Sequence, residues 1–119
     1  MLDTFKELIA NQFAAAFCTL NTCIDKCPDT AWEARVGNYQ FCQVAFHTLF
    51  YADFYLGPNE ESFRRQPFHR ANEHFFGDYE EFEDRAPQSL YDKTSIKTYL
   101  DHCRNKTSAA IAAETAETL

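Results

Sequence analysis

The sequence predicts an all-α helical bundle of one domain, on three observations. Apolar residues recur at steps of three and four, the helical period, in three long segments. Proline or glycine stands at the ends of the first two, at Pro28 and Gly57-Pro58. The 119 residues leave room for a single core, and twelve Phe and six Tyr can supply much of its buried area. At 45% hydrophobic and 24% charged, the chain is too apolar to be disordered.

The first helix is expected over residues 4–27. Phe5, Leu8, Ile9, Phe13, Ala16, Phe17, Leu20, Cys23, Ile24 and Cys27 form one stripe, Asp3 or Thr4 can cap its start, and Pro28 forbids its continuation. A turn around Gly37-Asn38 precedes the second helix, over residues 39–56. Its sequence, YQFCQVAFHTLFYADFYL, is apolar almost all the way round, with Gln43, His47 and Asp53 as polar exceptions. Such a helix belongs in a core or an oligomer interface.

Residues 57–91 form a long crossover connector. Pro58, Pro67, Gly77 and Pro87 interrupt any periodicity there, and six aromatics, Phe63 to Phe82, should pack it onto the bundle with one or two helical turns. The third long helix is expected over 93–117, starting near Asp92 or Thr94, with no glycine or proline to end it. So long a crossover lets the second and third long helices run parallel. A shared core of Phe13, Phe17, Leu20, Val44, His47, Tyr51, Tyr99, Leu100 and Cys103 follows, with no β-sheet.

Charge and cysteine usage narrow the function classes. The net charge of −7, with scattered Lys and Arg, disfavours nucleic acid and acidic membrane surfaces as partners. No apolar run is long enough to span a membrane, and no export signal is visible. Five cysteines without a compact framework read as reduced thiols, which makes the cytoplasm the expected location.

The order of these elements carries a resemblance. A first amphipathic helix leads to Ala31-Trp32-Glu33, then to a second helix centred on Gln43-Val44-Ala45-Phe46-His47-Thr48-Leu49. After the crossover comes Ile96-Lys97-Thr98-Tyr99-Leu100-Asp101-His102-Cys103-Arg104. This pattern resembles the DinB/YfiT-like family over nearly the whole chain. The resemblance implies an up-down-down-up four-helix bundle, a homodimer, and a divalent metal, zinc or nickel, held by three histidines. It also implies a metal-dependent enzyme, of thiol-dependent transferase or hydrolase type. His47 matches the second-helix ligand. No His-x-x-x-His matches the fourth helix, so the family's metal site is incomplete and this chain alone is not expected to hold the ion tightly. The alternative is a noncatalytic bundle domain acting through self-association.

Other candidate groups have blander readings. His69 and His74, five apart in the connector, would point to different faces and read as exposed loop histidines. His102 lies beside the third helix's apolar stripe and reads as a surface histidine, although it could approach a site lined by His47. Cys18, Cys23, Cys27 and Cys42 act as small hydrophobes more readily than as a zinc site. The acidic run Asp78-Tyr79-Glu80-Glu81-Phe82-Glu83-Asp84 lacks the pattern of a calcium loop and reads as a solvated connector. Three long helices leave one groove open. A symmetric partner is therefore expected to cover Phe46, Phe50 and Phe54, together with an apolar edge at Ala110, Ile111 and Ala113.

Overall fold

The computed structural model describes residues 1–77 and 79–118. Three long helices dominate: α1 (Leu2–Lys26), α2 (Phe41–Tyr55) and α6 (Lys93–Ala113). Between α2 and α6 the connector folds into α3 (Glu60–Arg64), α4 (Pro67–Ala71), α5 (Glu73–Phe76) and a 3-10 turn at Glu80–Phe82. It is more helical than expected, and two of the short pieces have a local start signal. Asn59 Oδ1 accepts from Ser62 N at 2.8 Å at the head of α3, and Pro67 opens α4.

The expectation of no sheet needs a small correction. Arg35–Val36 (β1) and Tyr39–Gln40 (β2) pair antiparallel around Gly37, whose φ of +67° suits a tight hairpin turn that an L side chain would strain. The hairpin delivers the chain into α2, where the Gln43 side chain accepts from Gln40 N at 2.9 Å.

Contacts fix the helix directions. Along α2 and α6, Phe46 meets Tyr99, Leu49 O accepts from Cys103 Sγ, and Asp53 meets Lys106, so the two helices run the same way. Along α1 and α6 the order reverses. Lys93 Nζ donates to Cys27 O, Lys97 pairs with Asp25, and Lys6 Nζ donates to Ala112 O. Helix α6 thus lies between α1 and α2 as the central strut.

The core collects Phe17, Ile24, Trp32, Phe46, Leu49, Phe50, Phe63, Phe76, Ile96, Tyr99, Leu100 and Cys103. Leu20 and Tyr51 pack against it half-buried. Phe13, Val44 and His47 do not join it and are exposed. On α2 the buried residues Cys42, Ala45, Phe46, Leu49, Phe50 and Asp53 follow the helical period, which leaves Val44, His47 and Thr48 facing solvent. Because the helix is apolar all round, its sequence did not reveal which face would turn inward.

Two further expectations change. Helix α6 stops at Ala113, with Glu114 extended, short of residue 117. Ile111 is buried within the chain. Phe46 and Phe50 are buried too, covered by the connector's own Phe75, Phe76, Phe63 and Phe82 and by Tyr91, so no neighbouring molecule is needed to cover them. Phe54 sits half-buried on Phe63 and Phe82. Among the described residues, no helix is long and apolar enough to cross a membrane.

Candidate metal centre

Asp53 is the one carboxylate of α2, six residues beyond His47 and about 240° further round the helix. That displacement puts it in the core, where it is wholly buried. A buried carboxylate needs donors on all sides, and α6, α4 and the residue just before α4 supply them. From α6, Tyr99 Oη donates to Oδ2 at 2.7 Å and Lys106 Nζ to Oδ1 at 2.6 Å. His69 of α4 lies with Nε2 2.8 Å from Oδ2, and Gln66, just before α4, donates to Oδ1 at 3.2 Å. His102 Nε2 stands 3.5 Å from Oδ1 and 3.1 Å from Gln66 Oε1.

Burial pushes the Asp53 carboxyl up, but hydrogen bonds from His102, His69, Lys106 and Tyr99 together outweigh it and hold the group far below the usual carboxylate range. The same burial, reinforced by the Asp53 charge, pushes the Tyr99 hydroxyl well up. Asp53 is therefore a charged acceptor, and Tyr99 a neutral donor to it.

His69 is held from every side. Its ring stacks on Phe76 at 3.8 Å between centroids, and its Nδ1 lies 2.7 Å from Tyr79 Oη. Tyr79 has a left-handed backbone, φ 46°, an uncommon conformation for a bulky residue and one that tends to mark functional or strained sites. The exposed-loop reading of His69 is thus corrected: the residue is 2% exposed, because the helical turn of α4 swings it beneath α6. His74 is exposed. His102 is half-buried, stacked on Phe68 at 4.2 Å, and approaches Asp53 instead of His47.

One ligand atom each from Asp53, His69 and His102 lie within 4.8 Å of one another, so the group could hold a metal ion. Its two imidazoles and one carboxylate are a donor set used for zinc and other divalent transition metals. Fit has one condition: the Lys106 ammonium already sits against Oδ1 and must withdraw for a second cation to enter.

His47 lies elsewhere, exposed on α2, with Nδ1 2.7 Å from Glu81 Oε2. The cysteines do not converge. Cys18 and Cys23 are exposed, contrary to a core role, whereas Cys42 and Cys103 are buried, where burial pushes both thiols up. In the acidic run, Asp78 falls outside the described residues. Glu80 is not solvated: it is 4% exposed and accepts from Gln88 N, Ser89 N and Arg85. Those bonds outweigh its burial and lower its pKa.

Asp53, Gln66, Tyr79 and Lys106 carried no signal of a site in the sequence. The nearest hint was a lone carboxylate on an otherwise apolar helix. Comparison with protein-family models, curated proteins and solved structures returns no significant match.

Proposed function

We propose that this is a metal-dependent helical-bundle protein of DinB/YfiT-like type that holds a divalent ion, zinc or nickel, with Asp53, His69 and His102. The observation that carries the metal assignment is the convergence of those three donors within 4.8 Å, with Asp53 and His69 buried. The same-direction course of α2 and α6 supports the family reading, which implies a thiol-dependent transferase or hydrolase. An ion bound there would supply Lewis acidity and an acidified water. The chain's own groups orient the ligands. In the ion-free protein His69 Nε2–H donates to Asp53 Oδ2. To serve as a ligand the ring would carry its proton on Nδ1, donating to Tyr79 Oη, and offer the Nε2 lone pair to the ion, while Tyr99 steadies Oδ2. Lys106 neutralises the carboxylate and would have to withdraw for an ion to bind there.

Cobalt or zinc titration of chelator-treated protein, followed by metal analysis, tests the assignment. One equivalent should bind, be lost in His102→Ala and survive in His47→Ala. Loss in His47→Ala with retention in His102→Ala would move the site to the ligand that the family resemblance implies. An absence of stoichiometric binding would remove the metal reading altogether.

A second reading, a noncatalytic domain acting through self-association as a homodimer, is favoured by one observation. Phe5, Leu8 and Phe13 are all exposed on the N-terminal half of α1, and exposed apolar surface beyond single scattered side chains marks interfaces. Sedimentation of the metal-free protein separates the two readings, since self-association there requires no ion.

A further inference from the structure

We infer that the cavity between the Glu80–Phe82 turn, α5 and the start of α6 binds a small organic cation, an ammonium or methylated ammonium compound. The cavity measures about 340 Å³ and is walled by Phe75, Phe76, Tyr79 and Tyr91. Glu80, Glu81 and Asp92 also line it, with no lysine or arginine among the described lining residues. Aromatic faces attract a cation through their quadrupoles, most strongly where water is excluded. Carboxylates at the same wall add charge attraction and repel anions.

Glu81 sharpens the assignment. Its side chain is only 5% exposed, and Oε2 is engaged by His47. Its other oxygen, Oε1, is buried and has no hydrogen-bond partner among the described residues. A buried carboxylate oxygen left without a donor is unfavourable. An ammonium seated in the cavity relieves this through its charge, and one bearing N–H can donate a hydrogen bond once the carboxylate turns toward it. Glu80 contrasts with it, since both of its oxygens are satisfied by Gln88, Ser89 and Arg85. A neutral ligand of the same shape would gain the apolar contact and nothing more.

Phe76 and Tyr79 also pack against His69, but Glu81 and Tyr91, the residues that the test alters, are not among the groups around Asp53, so the two proposals fail independently. The test is calorimetric titration of the whole chain, in chelator, with choline and with its neutral tert-butyl isostere. Choline should bind saturably, the isostere roughly tenfold more weakly or worse, and Glu81→Gln should cost choline a similar factor. Tyr91→Leu replaces an aromatic wall by a smaller apolar one and should weaken choline more than the isostere. It carries the test if Glu81→Gln does not fold by circular dichroism. Equal affinity for choline and the isostere, or no saturable choline binding, would overturn the proposal.

Discussion

Helices α1 and α2 make opposite use of similar apolar content. Over 25 residues α1 fully buries two, Phe17 and Ile24, whereas α2 buries seven of 15. Helix α1 leans mainly on α6, while α2 is wrapped by α6 and the connector's aromatic cluster. The difference shows in the molecule's shape: its Cα radius of gyration is 15.4 Å, against roughly 13.5 Å for a compact chain of this length. Stability should therefore reside in the α2–connector–α6 half, with α1 as an attached strut.

The sharpest way to break this comparison is at Asp53. In chelator-treated protein, Asp53→Asn should lower unfolding stability by about 3–5 kcal/mol, because it leaves Lys106 and the buried network uncompensated. Urea melts would show it. The loss should also depend on pH with a definite sign. The folded pKa of Asp53 is depressed, so its contribution is present above the unfolded carboxylate pKa, near 4. Below that pH the unfolded chain takes up the proton first, and the gap between wild type and variant should narrow. A gap that stays constant from pH 7 to about pH 3 would mean that Asp53 is not held charged.

Next in size is Ile24→Ala, at the most deeply buried residue of α1. A loss of about 2–4 kcal/mol is expected, and a loss near zero would mean that α1 contributes even less than the comparison assigns it. Glu80→Ala strips acceptors from two backbone amides and should destabilise by about 1–3 kcal/mol, measured by thermal melting. The smallest effect belongs to α1's outer face. Phe13→Ser should change monomer stability by no more than about 0.5 kcal/mol. A concentration-dependent loss would instead show that a second chain covers this face.

Much of the helical framework was legible locally. Pro28 and Gly57-Pro58 bound α1 and α2, and Asp92 caps α6 by accepting from Ser95 N at 2.7 Å, because caps and breakers act within one turn of chain. Even the hairpin at Gly37-Asn38 was visible as a turn. The end of α6 was not, since no residue near Ala113 forbids helix and the stop is not encoded by a breaker.

The site was far less legible. His47, central on an apolar helix, looked inward and points out; His69, in a charged connector, looked outward and is buried. The amino-acid sequence by itself determined which segments are helical and that aromatic side chains would supply the core, because periodicity and composition are local properties. Only the tertiary structure decided which face of α2 is inside. On a helix apolar all round that choice rests on what packs against it, and the connector's Phe63, Phe75, Phe76 and Phe82 made it. The same packing brought Asp53, His69, His102 and Lys106 together from 53 positions of chain, since buried charge is tolerated only where partners from distant segments converge.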